Sequence, residues 1–136
     1  MYVPIKKVCF IGAGTMGCFN SLLASAAGYE CVIYDPCEES LKNRASNQAK
    51  LADFLNHDNF FKGVDVNAAI KKIYDCSDLK FALDGVDLVS ESIPENLELK
   101  KQLFQELEGL VSKKTIITTN TSGLSLEVLS NQFSPK

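Results

Sequence analysis

Near the start of the chain, Gly12-Ala13-Gly14-Thr15-Met16-Gly17 places glycine at the first, third and sixth positions of a six-residue turn. That spacing suits the approach of a diphosphate. Gly12 permits a tight turn, Gly14 lets the backbone come close to the anion, and Gly17 allows a following helix to pack against a sheet. A helix opening at Gly14, with Thr15 and Met16 in its first turn, would aim unpaired N–H groups and a partial positive charge at the phosphates. A second group belongs to the same chemistry. Asp35 closes the next apolar run, Cys31-Val32-Ile33-Tyr34. A carboxylate there accepts hydrogen bonds from both ribose hydroxyls of an adenosine and repels a 2′-phosphate. With Pro36 and Cys37 rather than a base beside it, NAD is favoured over NADP. Asp35 also suits a turn or helix cap ahead of Pro36.

These residues need a particular frame. Residues 5–11 read as a buried strand ending at Gly12. A helix follows from Gly14 to about Ala27, with Phe19, Leu22, Leu23 and Ala26 on one face, and then a second strand. Strand, helix and strand in about 30 residues make a βαβ unit, which implies a parallel sheet covered on both faces. Residues 38–57 predict a long helix with Leu41, Ala45, Ala49, Ala52 and Leu55 facing inward and Arg44 elsewhere on the cylinder. A shorter helix is expected at 66–72 and strands at 73–76, 86–93 and 115–119. Between the last two strands, Asn96 caps a helix reaching about Val111, with an inner face of Leu99, Leu103, Leu107, Leu110 and Val111. A short helix is expected at 124–129. The fold class is α/β: a Rossmann-type doubly wound parallel sheet with a helical insertion after the second strand, residues 1–136 making one domain.

Taken together, Gly12–Gly17, Tyr34-Asp35-Pro36, the run Asp87-Leu88-Val89-Ser90-Glu91-Ser92-Ile93-Pro94-Glu95-Asn96, Lys100 with Leu103-Phe104, and Asn120-Thr121-Ser122 resemble the L-3-hydroxyacyl-CoA dehydrogenases, in that family's order and near its spacing. The resemblance runs from Lys6 to about Leu129. It implies NAD as cofactor, held by Gly12, Gly14, Thr15, Met16, Gly17, Asp35 and Asn120, with Glu95 and Lys100 on the nicotinamide side. It implies that Ser122 contacts substrate near the reacting hydroxyl. Read without the family, Glu95 and Lys100 equally suit a solvated charge pair at a helix start, and Ser122 a turn residue. The family's long helix contacts coenzyme A through a serine and a lysine, and counting from Asp35 places Leu51 and Asp58 there. The substrate is therefore expected to be a 3-hydroxyacyl-CoA or a related 3-hydroxy acid.

The resemblance also implies a histidine general base, oriented by a glutamate, in a segment past the Asn120-Thr121-Ser122 turn. The one histidine, His57, falls in a polar break between helices. The chain is thus expected to be the N-terminal half of a longer enzyme, binding NAD without turnover by itself. The whole enzyme is expected to be a homodimer with its contacts mainly in a helical C-terminal domain, and the fragment a monomer. Apolar surface left open is expected at Leu124, Leu126 and Leu129.

Composition narrows the partners. Net charge is −3, with 13 lysines and one arginine and no basic stripe, which argues against nucleic acid. No apolar run is long enough for a membrane span. Five cysteines at irregular spacing, Cys9, Cys18, Cys31, Cys37 and Cys76, read as reduced, buried thiols rather than disulfides or a zinc site. An intracellular, cytoplasmic enzyme without a metal follows. Three other readings stand beside it: a 3-hydroxyisobutyrate-type dehydrogenase, an NAD-binding sensor with no chemistry, and, more remotely, a methyltransferase.

Overall fold

All the strands are parallel and form one sheet in the computed structural model, which describes residues 4–132. They are β1 (Lys7–Ile11), β2 (Glu30–Tyr34), β3 (Tyr74–Cys76), β4 (Leu88–Glu91) and β5 (Ile116–Thr119), in the order β3-β2-β1-β4-β5. The chain winds outward from β1 in one direction and then, after β3, in the other. This is the expected Rossmann-type arrangement, and β1 and β4 flank the point where the order reverses.

Registers align the strand ends. Tyr34 pairs with Cys76 and Ile11, Ile11 with Glu91, and Glu91 with Thr119. The residues that follow, Gly12, Asp35, Ser92 and Asn120, therefore emerge along one edge. Of the polar residues named for chemistry, Asp35, Glu95, Asn120 and Ser122 follow that carboxyl edge, whereas His57 and Asp58 lie away from it.

The helices α1 (Thr15–Ala26), α2 (Glu38–Leu55) and α3 (Val66–Lys72) cover one face, and α4 (Leu79–Ala82), α5 (Leu97–Leu110) and α6 (Leu126–Ser130) the other. Alternation along β1 divides its side chains between the two cores. Val8 and Phe10 join Cys31, Ile33, Leu41 and Ile73, whereas Cys9 and Ile11 join Val32, Val89, Leu103, Phe104 and Leu107. The helical insertion after β2 consists of α2, a 3-10 turn at Asn56–Asp58 and α3, whose Asp65 caps it by accepting from the Ala68 N–H.

Three inward faces differ from the sequence expectation. On α2, Leu41 and Ala52 are buried, but their companions are Arg44 and Gln48, while Ala45 and Ala49 face solvent. The Arg44 guanidinium forms a bidentate pair with Asp75 and donates to Gln48 Oε1 at 2.8 Å and to the Ile70 carbonyl at 3.0 Å. Gln48 in turn donates to the Cys18 carbonyl and the Ser21 hydroxyl. A buried charge persists only when paired and fully hydrogen-bonded, and this one is both. On α5, Leu103 and Leu107 are buried with Lys100 and Phe104, while Leu99 and Leu110 are exposed, because the stripe follows 100, 103, 104 and 107. Near the end of the described chain, Leu126 is exposed as expected, but Leu129 is buried and Leu124 packs against the same core. The short helix α4 had no sequence signal, since four residues cannot display a helical period.

Candidate functional site

The glycine turn leaves β1 with Gly12 at a φ of +105°, a conformation that disfavours any side chain. A Cβ there would also stand 2.9 Å from the Ser92 carbonyl oxygen. At Gly17 a Cβ would lie 1.7 Å from the Gly12 carbonyl oxygen, so the first turn of α1 sits directly against the loop. Gly14 is different. Its φ of −77° is open to any residue, and a Cβ there would meet nothing within 4 Å. Gly12 and Gly17 are thus demanded by the fold, whereas Gly14 keeps open space in front of the helix. The start of α1 has no side-chain cap and no acidic residue in its first turn, so its leading N–H groups face that space. Thr15 and Met16 are exposed beside it.

Asp35 stands at the rim. One carboxylate oxygen accepts from the Ala13 N–H at 2.9 Å and the other from the Cys37 N–H at 2.8 Å. The side chain therefore orders the turn as well as facing outward. A carboxylate has lone pairs beyond these two bonds, which leaves acceptor capacity for hydroxyl donors. Between the turn and α2 lies a cleft of about 520 Å³, bordered by Gly14, Thr15, Ser40, Asn43, Asn47, Lys50 and Leu51. No acidic side chain lines it, as an anionic ligand requires. Leu51 is part of its wall, whereas Asp58 is exposed on the 3-10 turn beyond α2.

A second cluster lies past β4 and β5. Lys100, on the inner face of α5, is only 1% exposed and reaches Glu95 Oε1 at 2.6 Å and Glu91 Oε1 at 3.1 Å. Glu91, the last residue of β4, is fully buried and also accepts from the Ile93 N–H at 2.8 Å and from the Thr119 hydroxyl. Glu95 is part-exposed, and its other oxygen accepts from the Thr121 hydroxyl at 2.9 Å and the Gly123 N–H at 3.3 Å. Hydrogen bonds from Lys100 and Thr121 hold the Glu95 carboxyl below its ordinary pKa, since they favour the charged form. Asn120 donates through its amide to the Ser92 hydroxyl at 2.6 Å, and its backbone N–H bonds to the Glu91 carbonyl. The neighbouring Ser122 is exposed, and its hydroxyl has no hydrogen-bond partner among the described residues.

The two clusters abut. Ser92 donates its N–H to the Ile11 carbonyl, and its own carbonyl closes over Gly12. The structure thus brings Gly12, Gly14, Gly17, Asp35, Glu95, Asn120 and Ser122 to one edge of the sheet. Lys100 does not stand free at that edge but lies beneath Glu95. Glu91 escaped the sequence reading because it sits inside an apolar strand. An acidic residue in such a strand with a lysine in the first turn of α5 was the available signal. His57 is exposed on the 3-10 turn, among none of these groups. Among the described residues no cluster of histidine, cysteine and acidic side chains could hold a metal, and no helix is long and apolar enough to cross a membrane. All five cysteines are free; four are buried as expected, but Cys37 is exposed.

Comparison with known proteins gives this geometry a family. Residues 7–136 match the family described as 3-hydroxyacyl-CoA dehydrogenase, NAD binding domain. The chain is 31% identical over 134 residues to the mitochondrial hydroxyacyl-coenzyme A dehydrogenase of Homo sapiens, covering 95% of this chain and 43% of that protein. It is 28% identical over 118 residues to the lambda-crystallin homolog of Homo sapiens, covering 86% of this chain and 37% of the relative. A solved diketoreductase superposes with a TM-score of 0.89 at 27% identity, covering 96% of this chain and 47% of that one. The chain spans less than half the length of these relatives. The glycine turn, the reversed strand order and the match across nearly all residues agree: this chain belongs to the 3-hydroxyacyl-CoA dehydrogenase family, as its NAD-binding domain.

Proposed function

We propose that this chain holds NAD for an enzyme that oxidises the 3-hydroxyl of a 3-hydroxyacyl-CoA, or of a related 3-hydroxy acid, to the 3-oxo compound. The carrying observation is the open space at Gly14 in front of an uncapped helix, with Asp35 at its rim. A diphosphate fits where no side chain intrudes, and the leading N–H groups of α1, including those of Thr15, Met16 and Gly17, supply its hydrogen bonds. Asp35 takes the adenosine ribose hydroxyls with the lone pairs left over from Ala13 and Cys37. Glu95 and Asn120 face the nicotinamide end, where ligands of open α/β sheets lie. Ser122 offers its unpartnered hydroxyl to the substrate oxygen. NAD bound there would supply the hydride acceptor for the carbinol carbon, while these side chains would only bind and orient. A general base must lie within hydrogen-bond reach of the proton it takes, and the reading gives that role to no residue from 4 to 132, His57 included.

Leu51 and Asp58, in the positions where the family resemblance implies a serine and a lysine, favour a 3-hydroxy acid smaller than a CoA ester as a second reading. A cytoplasmic setting is part of the proposal, supported by free thiols, as are a place in fatty acid metabolism and a homodimeric whole enzyme, both carried by the resemblance.

The test is a titration of residues 1–136 with NADH, NADPH and a CoA ester side by side. Saturable NADH fluorescence enhancement with much weaker NADPH binding is expected, and no binding of NADH would end the proposal. Binding of the CoA ester would select the acyl-CoA substrate over the smaller acid. With a 3-hydroxyacyl-CoA and NAD, this chain alone is expected to form no NADH.

A further inference from the structure

We infer that Ser92 is a positioning residue for the dinucleotide, its hydroxyl holding the Asn120 amide ready for the nicotinamide-bearing half. The inference rests on the NAD reading above and adds a residue to it. Ser92 is the first residue past β4 and Asn120 the first past β5. The two strands run in register, with Ser90 against Thr118 and Glu91 against Thr119. The next rung of that ladder is therefore Ser92 against Asn120, and here the side chains continue it. Asn120 donates an amide N–H to the Ser92 hydroxyl at 2.6 Å.

Both backbones are already fixed. Ser92 gives its N–H to the Ile11 carbonyl at 2.9 Å, and its own carbonyl oxygen stands 2.9 Å from where a Gly12 Cβ would be, so it is wedged against the glycine turn. The Asn120 N–H goes to the Glu91 carbonyl at 2.9 Å, and the next N–H, that of Thr121, to the Thr119 hydroxyl at 3.1 Å. What is left to move at Asn120 is its exposed side chain. Unheld, that side chain would sample several rotamers and lose the freedom when a ligand engaged it. The bond to half-buried Ser92 ties it to the glycine turn before any ligand arrives. The tie leaves most of its capacity intact. The second amide N–H and Oδ1 have no partner among the described residues, and so remain as a donor and an acceptor. Location selects the half of the ligand they meet. The start of α1 and Asp35 follow β1 and β2, where the diphosphate and adenosine go, whereas Ser92 and Asn120 follow β4 and β5 on the other side of the reversal point.

Two ligands test the assignment. ADP carries the adenosine and diphosphate without the nicotinamide-bearing half, and NADH carries both. Affinity for each is measured by calorimetric titration of residues 1–136 for wild type, Ser92→Ala, Asn120→Ala and the double variant. Ser92→Ala is expected to weaken NADH binding about fivefold and Asn120→Ala about tenfold. The double variant is expected to be no weaker than Asn120→Ala, because Ser92 works through Asn120. ADP is expected to bind all four alike. Wild-type NADH affinity in Ser92→Ala would overturn the inference. So would a double variant weakened about fiftyfold, which would put Ser92 itself on the ligand. A parallel loss of ADP binding would overturn it as well, being the mark of a disturbed glycine turn. A ligand-free readout stands apart from the NAD reading. The two side-chain amide proton resonances of Asn120 should move in Ser92→Ala, and unmoved resonances would refute the tie. If the wild type bound neither ligand, the NAD reading would fall while those resonances still judged the pair.

Discussion

The Asp35 carboxylate lies 2.9 Å from the backbone nitrogen of Ala13, so the residue just past β2 also fastens the turn that leaves β1. Asp35→Ala should therefore have two separable effects. Leaving the Ala13 N–H without its partner is expected to cost about 1–2 kcal/mol, read as a lower urea midpoint with unchanged slope. Removing the carboxylate should narrow the preference for NADH over NADPH in parallel titrations. An unaltered preference would separate Asp35 from ribose recognition.

Gly14 and Gly17 should respond in opposite ways. Serine is a favoured N-cap, so Gly14→Ser should leave the melting temperature unchanged or slightly raised. Its hydroxyl would occupy the open space and accept the helix N–H groups, and NADH affinity should fall at least about tenfold. Gly17→Ala drives a methyl group into the Gly12 carbonyl and should cost about 3 kcal/mol of stability. Equal NADH affinity in Gly14→Ser and wild type would refute the phosphate seat.

Thiol labelling should find one fast cysteine. Cys37 is exposed at the N-cap of α2, and hydrogen bonds from the Ser40 hydroxyl and nearby backbone N–H groups hold its thiol below the ordinary value. Burial pushes the Cys9 thiol up to about 12 and the Cys31 thiol up to about 11, and it raises Cys18 too. At neutral pH an aromatic disulfide reagent should release one equivalent rapidly from the native protein, and Cys37→Ser should abolish that phase. Two fast equivalents would show that the core opens on the timescale of labelling.

Acid should loosen the Ser122 turn. The Glu95 pKa is depressed in the folded chain by the Lys100 and Thr121 hydrogen bonds, relative to an ordinary value of 4.5. A depressed carboxyl stabilises the fold fully above its unfolded pKa, and that contribution disappears as pH falls through the native value. The Gly123 amide resonance should hence be flat from neutral pH down to about 5 and titrate below 4.5, and in Glu95→Gln this titration should vanish. A midpoint above 4.5 would contradict the hydrogen-bond pattern.

Arg44→Met should be the most damaging change on α2. It strands the Ile70 carbonyl and the Gln48 side chain in the interior and frees Asp75, at a cost of about 3 kcal/mol. Asp75→Asn should cost less, because the Asp75 side chain is 38% exposed. Denaturant titration of both variants checks the order.

What could be read from the amino-acid order follows from how local each rule is. The glycine turn and the Asn96 cap depend on neighbours within a few positions, and the βαβ unit that ends just before Asp35 on one unbroken stretch of chain, and the structure has them where expected. The inner faces of α2 and α5 depend on distant partners. Arg44 is interior because Asp75 and the Ile70 carbonyl await it, and Lys100 because Glu91 does. A periodicity built from apolar residues alone turns α2 toward Ala45 and Ala49 and α5 toward Leu99 and Leu110. Glu91 was hidden for the same reason: its meaning lies in strand registry with Thr119 and in a helix that crosses behind it.

The knot around Arg44 and Gln48 decides how a guest is received. It ties α2 to the first helix, to the Ile70 carbonyl and to β3, so the wall of the 520 Å³ cleft cannot swing independently of the sheet. A dinucleotide therefore meets a finished mould instead of shaping one. Little ordering entropy is spent on arrival, and the calorimetric signature should be that of a rigid receptor, with no heat-capacity change beyond the surface covered.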